Sequence, residues 1–253
     1  MIDLRVLGPL TLTVDGRLVR LSPLLRVLLL CLLLARQPVP ARRLAELLWG
    51  GDPPRQWQVT LRSHVYRLRQ AIGAGAPGGS TSVLATETVG TAVCYALRIP
   101  PECVDATHFE RLVTDGRNAL GAARYAEAAA LLATALGLWR GQPLADVAGR
   151  PFALAEVGRL EGLHRAARTA RIEAEIALGR FREVIGELEG MLARWPTDNG
   201  LRRMLVGCLC LAERYGDAAR VCQVGIKLAL DQGLDVTSLE ALQREVLLAA
   251  PPR

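Results

Sequence analysis

The chain has 253 residues, of which 51% are hydrophobic and 22% charged, so a globular protein with room for two domains is expected. Its six cysteines include no CxxC pair and it has only three histidines, which argues against a zinc site. We therefore expect reduced, apolar cysteines in the cytoplasm, with no metal and no cofactor. The sequence opens without a secretory signal, and the apolar run 24–35 is too short to span a membrane. We expect that run to be a buried helix and expect no membrane contact.

The net positive charge is confined to the first hundred residues. Residues 1–100 contain 12 Arg and no Lys against five acidic residues, a net charge of +7. Residues 101–253 contain 19 basic and 20 acidic residues, a net charge of −1. A localised basic excess is typical of a nucleic-acid-binding domain. We therefore predict two domains, 1–100 for binding a polyanion and 101–253 for binding another partner.

Turn and helix signals in residues 1–100 predict the element order of a winged helix-turn-helix domain. Asp15-Gly16 is a strong hairpin signal between short strands. Pro38 and Pro40 separate two helices, and Gly50-Gly51 ends the second. The predicted order is short strands within 2–21, a helix at 24–35, a helix from 41, a basic helix at 57–72, a flexible loop at 73–82 and a hairpin at 83–99.

The basic helix 57–72 divides into two faces. At 100° per residue its apolar residues Leu61, Val65, Leu68 and Ile72 fall within about 60° of one another, which predicts a buried face. The arginines on the opposite face can donate two parallel hydrogen bonds to a phosphate or to guanine. We predict that this face enters the major groove, with Thr60 and Arg69 near the DNA backbone and His64 in a structural role. The predicted DNA-binding residues are Thr60, Arg62, Ser63, Tyr66, Arg67, Arg69 and Gln70.

An ordinary amphipathic helix with a solvated arginine face is the alternative interpretation of this segment. The helices that precede it and the hairpin that follows it favour DNA binding, because together they form a winged helix.

An internal repeat marks the residues after 104. Five-residue segments that begin at Arg124, Arg180 and Arg214 share a basic, an aromatic and an acidic residue in the same order. The last two segments are 34 residues apart, which is the period of tetratricopeptide helix pairs. The first is farther from the second, and the extra residues include the non-helical segment 138–147. We predict stacked helix pairs that form a superhelix with a groove for a peptide or protein. The alternative is that the repeats are structural and only pack against a second copy of the chain or against the DNA-binding half.

Sequence motifs for catalysis are absent. The three histidines have no serine or cysteine motif around them, and the chain has neither a Walker A sequence nor a dinucleotide fingerprint. We predict no catalytic residues and no enzymatic activity.

Motifs spread over almost the whole chain resemble the Streptomyces antibiotic regulatory proteins. The most specific feature is LWRGQPLADV at 138–147 combined with a basic helix after LWGGDPP. Other similar segments are RVLGPL, DGRLVRL, SHVYRLRQAIG, HFERLV, ALGRF and QGLDVTSLEALQREVL.

This resemblance implies a mainly α protein with small β-sheets. A winged helix-turn-helix domain similar to OmpR-type effector domains would be followed by an all-α, tetratricopeptide-like bacterial transcriptional activation domain. Such proteins bind direct repeats in double-stranded promoter DNA side by side, which involves self-association on DNA. They recruit RNA polymerase holoenzyme through its sigma factor and other subunits. The resemblance thus implies a transcriptional activator of a specialised-metabolite (antibiotic) gene cluster.

Three segments depart from the pattern of the family. Leu24-Leu25 replace the Lys-Gln that many members have before the arginine here numbered Arg26, so a phosphate contact is expected to be lost. Arg62, Ser63 and Tyr66 predict an operator unlike the commonest one. The hairpin carries Glu87 before a longer tip, and this carboxylate would repel phosphate.

A different class of function is also compatible with the sequence. A tetratricopeptide-type adaptor could use its basic N-terminal half to dock an acidic protein. Sequence-selective binding to promoter DNA distinguishes the two hypotheses, because an adaptor has no reason to discriminate between bases.

Overall fold

The computed structural model describes residues 2–73 and 83–250. In these residues the fold is mainly helical with two small antiparallel sheets near the N-terminus, as predicted. The predicted flexible loop 73–82 lies almost entirely outside the described residues. The strands are β1 (Ile2–Arg5), β2 (Thr11–Val14), β3 (Arg17–Val19), β4 (Val39–Pro40), β5 (Leu84–Val89) and β6 (Ala92–Leu97). The helices are α1 (Pro23–Ala35), α2 (Ala41–Trp49), α3 (Trp57–Gly73), α4 (Asp105–Gly121), α5 (Tyr125–Gly137), α6 (Pro151–Ala177), α7 (Phe181–Arg194), α8 (Asn199–Leu211), α9 (Tyr215–Asp231) and α10 (Thr237–Ala249).

Local turn chemistry forms the first sheet, whose strand order is β1-β2-β3. Asp15 and Gly16 both have positive φ, at 50° and 76°, as a two-residue turn between right-twisted strands requires. Leu12 and Val14 of β2 are buried, while Thr11 and Thr13, which alternate with them, are half-buried. The predicted hairpin is confirmed.

Helices α1 and α2 form where the proline and glycine signals predict. Pro23 occupies the first turn of α1, where its missing N–H costs no hydrogen bond. Gly50 adopts the left-handed conformation after α2, and its N–H donates to the carbonyl of Glu46. Helix α1 is buried along most of its length. Among the described residues, no helix combines the length and the apolar character needed to cross a bilayer.

The second sheet, with strand order β4-β6-β5, completes the winged-helix element order. Strands β5 and β6 pair antiparallel from Leu84 opposite Leu97 to Val89 opposite Ala92. Only Gly90 and Thr91 connect them, and Gly90 has a φ of 63°. The expectation of a longer hairpin tip is therefore wrong, because strand pairing continues up to a two-residue turn.

The chain folds as two compact units. The first comprises the chain up to Thr114 together with Ala133–Ala167, and the second comprises Asp115–Leu132 and the chain from Arg168 onward. The division predicted from composition, 1–100 and 101–253, stays a prediction about domains. The first unit contains the winged-helix elements and, in addition, part of the chain after residue 100.

In the first unit, residues that follow β1 are held by residues beyond position 100. The amides of Val6 and Leu7 donate to the Asp105 carboxylate at 2.7 and 3.2 Å. The carbonyls of the same two residues accept hydrogen bonds from the amides of Leu144 and Arg140 at 2.7 and 2.8 Å. The non-helical segment 138–147, predicted as such, thus lies along this part of the chain.

Two further residues of the first unit join the same region to α1 and α2. The Asp146 carboxylate accepts hydrogen bonds from the amide of Leu10 at 2.6 Å and from the guanidinium of Arg26 at 2.9 Å. Arg150 donates to the carbonyls of Leu47 and Leu48 near the end of α2, at 3.1 and 3.2 Å. Helices α1 and α2 are therefore fixed by side chains from outside residues 1–100.

The repeated segments of the second unit occupy equivalent places. Each lies where one helix ends and the next begins, after a residue with positive φ. The amides of Arg124, Arg180 and Arg214 donate to the carbonyl five residues earlier, at 2.8–2.9 Å, which closes the preceding helix. The repeat therefore marks successive helix–turn–helix units. The superhelical groove stays a prediction.

An arginine is buried in the second unit. Arg202 is only 2% exposed, and its guanidinium donates to Asn199 at 2.8 Å and to the carbonyl of Pro196. Burial lowers the pKa of Arg202. A Cβ at Gly225 would overlap the guanidinium, so only glycine leaves it this space. Arg202 thereby fixes the connection between α7 and α8.

We expect Leu68→Asp to lower the free energy of unfolding of the full chain by several kcal/mol, because Leu68 is fully buried and a carboxylate there would lack a partner. Gln70→Asp, which places the same charge at an exposed position of α3, is the matched control and should change little. Cooperative thermal unfolding followed by circular dichroism measures both variants. Equal melting temperatures for the two would show that the faces of α3 are wrongly assigned.

Candidate DNA interface

Helix α3 has one buried and one exposed face, as its periodicity predicts. Leu61, Val65, Leu68 and Ile72 are each at most 1% exposed. Five of the predicted DNA-binding residues are exposed on the other side, namely Arg62, Ser63, Tyr66, Arg67 and Gln70. The buried face anchors the helix, and the exposed face is free to meet a ligand.

The two arginines on the exposed face of α3 are available for binding. Arg62 and Arg67 form no ion pair with any residue in the described ranges 2–73 and 83–250. On α2, by contrast, Arg42 and Arg43 both contact Glu46, at 3.5 and 3.3 Å. A guanidinium without a carboxylate partner keeps its donors for a phosphate or a base edge.

Val59 belongs to the same face but is missing from the predicted set. Its side chain is 65% exposed, and it precedes Arg62 and Ser63 by three and four residues, so the three lie together on the helix surface. An exposed valine contributes nothing to the core. It can contact an apolar group such as the C5 methyl of thymine. In the sequence, only its helical spacing from Arg62 and Ser63 places Val59 on this face.

Arg69 is only partly exposed and is already engaged within the fold. Its Nε donates to the carbonyl of Leu84 at 2.9 Å, and its Nη2 donates to the hydroxyl of Thr86 at 2.6 Å. Both acceptors belong to β5, so Arg69 fixes the hairpin against α3. Thr60, also partly exposed, donates its hydroxyl to the carbonyl of Gln56 at 3.2 Å. Contacts of these two residues with the DNA backbone stay a prediction.

The carboxylate of the hairpin has a cationic partner. Arg98, which follows β6, donates to Glu87 of β5 at 2.7 Å. The pair carries no net charge, which weakens the repulsion of phosphate expected from Glu87. The hairpin can therefore approach a DNA backbone without the full penalty of an isolated carboxylate.

His64 lies at the edge of the buried face of α3. Its ring centroid is 6.3 Å from that of Trp49, and its Nδ1 is buried without a hydrogen-bond partner among the described residues. Burial lowers the pKa of His64, and the positive charge of Arg67 lowers it further. A neutral imidazole packed on an aromatic ring agrees with the structural role predicted for this residue.

Other polar clusters in the described residues do not form a metal site. No group of three or more His, Cys, Asp or Glu side chains there could hold an ion. The six cysteines are free thiols, and burial raises the pKa of Cys31 to about 12 despite the opposing charge of Arg150.

An arginine-bearing helix held by two other helices and a hairpin, and followed by helical repeats, is typical of winged-helix transcriptional regulators. Residues 104–247 match the family described as Bacterial transcriptional activator domain. The regulatory protein DnrI of Streptomyces peucetius is 32% identical over 98% of this chain and 93% of its own length. The chain therefore belongs to the Streptomyces antibiotic regulatory protein family.

A mycobacterial relative is similar in both sequence and structure. The transcriptional regulatory protein EmbR of Mycobacterium tuberculosis is 35% identical over 99% of this chain, and the match spans 64% of the length of EmbR. The structure of EmbR in complex with a low affinity phosphopeptide has a TM-score of 0.86 at 33% identity, covering all of this chain and 66% of that one. This chain is thus similar in architecture to the matching part of EmbR. It spans less than two thirds of the length of EmbR.

Proposed function

We propose that this protein is a sequence-specific DNA-binding transcriptional activator. It binds direct repeats in the promoters of a specialised-metabolite (antibiotic) gene cluster and recruits RNA polymerase there. The observation that carries this proposal is the exposed face of α3, where Arg62 and Arg67 have no ion-pair partner in the described residues. The net charge of +7 on residues 1–100 supplies the attraction to DNA.

Base recognition is proposed for the centre of this face. Arg62 and Arg67 can each donate two hydrogen bonds to a guanine, whereas Ser63 and Gln70 can bind base edges or phosphates. Tyr66, whose side chain is 61% exposed, can pack on a thymine methyl or reach a phosphate. Arg69 is proposed to act through the hairpin, in place of the DNA-backbone contact expected from the sequence, since its contacts with Leu84 and Thr86 already use donors on two of its nitrogens.

The helical repeats are proposed to bind the transcription machinery. This assignment is supported by the match of residues 104–247 to the Bacterial transcriptional activator domain family. The proposed partners are RNA polymerase holoenzyme, through its sigma factor and other subunits, and a second copy of this chain on the adjacent repeat. A protein with these partners acts in the cytoplasm, where the promoter DNA lies.

Binding measured over a range of salt concentrations tests the proposed roles of Arg67 and Arg69. We expect Arg67→Ala to weaken binding to the target promoter by about 1–3 kcal/mol, as loss of a base or phosphate contact does. We expect Arg69→Ala to weaken binding without changing the slope of log K against log salt, because its guanidinium holds the hairpin and releases no counterion. An electrophoretic shift assay at four or five salt concentrations measures both quantities.

Arg244→Ala, on α10, removes the same charge outside the proposed interface and is the control. Unchanged affinity for Arg67→Ala would remove α3 from the interface. Equal affinity of the wild-type chain for promoter and scrambled DNA would favour the adaptor hypothesis.

Thymine-to-uracil replacement tests the proposed contact of Val59. Loss of one buried methyl costs about 0.8 kcal/mol, so we expect one position of each repeat to lose roughly fourfold in affinity when its thymine becomes uracil. Val59→Ala should lose this sensitivity at that position and retain it at others. Val224→Ala, an equally simple change at an exposed valine of α9, should behave as the wild type. A uracil effect that persists in Val59→Ala would exclude the contact.

In vitro transcription tests the proposed recruitment of polymerase. We expect the wild-type chain to raise transcription from the target promoter by its cognate holoenzyme. Arg67→Ala should need more protein for the same effect, because only occupancy of the promoter is altered. A wild-type chain that occupies the promoter and leaves transcription unchanged would contradict recruitment while leaving DNA binding intact.

A further inference from the structure

A cavity of about 370 Å³ lies within the first unit, and no residue of α3 lines it. Its walls come from the end of α1, from β6 and the residues after it, and from residues beyond position 100. The largest apolar residues around it are Leu33, Leu34, Leu97, Ile99, Leu144 and Leu160. A concave, mainly apolar site of this size is typical of a small-molecule site in proteins.

The apolar residues that line the cavity differ in burial. Leu144 and Leu160 are fully buried, whereas Leu33, Leu97 and Ile99 are only partly buried. Apolar side chains that face solvent rather than a packed core lack the dispersion contacts that the core would supply. An apolar molecule in the cavity would restore those contacts and remove the side chains from water.

Two carboxylates line the same cavity. Glu110 and Glu156 both bind the guanidinium of Arg159, which contacts Glu156 at 2.7 and 2.8 Å. The hydrogen bond from Arg159 lowers the pKa of Glu156 although burial opposes it, so this carboxylate is ionised at neutral pH. An ionised carboxylate accepts hydrogen bonds only, and each oxygen can accept more than one. A polar group of an occupant that lies beside these carboxylates must therefore be a donor.

The charge around the cavity also favours a cation. The two carboxylates share one closely bound guanidinium, that of Arg159. Arg36 lines the cavity as well, but its side chain is 77% exposed and its nearest nitrogen is 4.0 Å from Glu156. A charge so exposed is largely screened by solvent. An ammonium group beside Glu110 and Glu156 would be a second closely bound cation for the two carboxylates.

We propose that this cavity binds a small amphipathic amine. Its apolar body packs between Leu34, Leu97 and Leu160, and its ammonium group donates to Glu110 and Glu156. Such a ligand contacts α1, β6 and the parts of α4 and α6 that belong to the first unit, and so stabilises that unit. The proposal is independent of DNA binding.

Three fluorescent probes with one apolar body test the proposal on the full chain. They are 1-pyrenemethylamine, 1-pyrenemethanol and 1-pyrenecarboxylate, titrated by fluorescence anisotropy at low micromolar concentration. We expect saturable binding, with the amine at least tenfold tighter than the carboxylate and the alcohol between them. We expect Glu110→Gln to reduce the preference for the amine severalfold, because it removes one negative charge and keeps the shape.

A second pair of variants locates the site. Thr107 is exposed on α4 and lines the cavity, so Thr107→Trp should fill it and abolish binding. Thr114→Trp, two turns later on the same helix and outside the lining residues, is the control and should bind as the wild type. Thermal unfolding verifies that each variant is folded. If Thr107→Trp does not fold, the effect of Glu110→Gln on the preference for the amine tests the proposal by itself.

Three results would overturn the proposal. Tighter binding of the carboxylate would mean that Arg36 selects an acid. Unchanged binding by Thr107→Trp would place the probe elsewhere on the protein. The absence of saturable binding for all three probes would mean that the cavity holds only water.

Discussion

The backbone that follows β1 depends on two carboxylates far away in the sequence. Asp105 accepts hydrogen bonds from the amides of Val6 and Leu7, and Asp146 accepts one from the amide of Leu10. Burial raises the pKa of Asp105, while these amide hydrogen bonds and the charge of Arg140 oppose the rise. Without the carboxylates, three donors would be left without acceptors in a partly or fully buried region, at a cost of about 1–3 kcal/mol each. Asp146 also holds Arg26 of α1, so one acidic side chain joins the β1–β2 connection, α1 and segment 138–147.

The arginines of the first hundred residues divide into those bound within the fold and those without an ion-pair partner among the described residues. Arg26 is bound to Asp146, Arg69 to the hairpin and Arg98 to Glu87, so their charges are used within the fold. Arg62 and Arg67 have no such partner in the part of the chain that the structure describes. The net charge of the segment therefore overstates the number of cations that can meet DNA, and two of the unpaired arginines, Arg62 and Arg67, lie on the exposed face of α3. Sequence selectivity can arise there because these two guanidiniums share an exposed helix face with polar side chains that can bind base edges.

Features encoded by neighbouring residues could be predicted from the sequence, and features that depend on distant pairing could not. The two faces of α3 follow from a period of 3.6 residues, and the first hairpin follows from Asp15-Gly16. The partners of Arg69 could not be predicted, because they depend on where β5 lies against α3. The length of the hairpin tip depends on the register of β5 and β6 in the same way. Exposure of Val59 was implied by helical spacing, yet its apolar character kept it out of a set chosen for polar contacts.

The segment LWRGQPLADV illustrates how a family motif can be structural rather than catalytic or DNA-binding. Leu144 has a φ of 53°, a strained conformation for leucine, and its amide donates to the carbonyl of Val6. A Cβ at Gly8 would lie 3.0 Å from the Cβ of Arg140, so this close approach favours glycine. Strain and close packing at one junction are tolerated only when the surrounding hydrogen bonds compensate for them, and Asp105 and Asp146 supply those bonds. The residues of the motif therefore serve to hold the backbone that follows β1. Through Asp146 and Arg26, the same segment fixes α1 within the first unit.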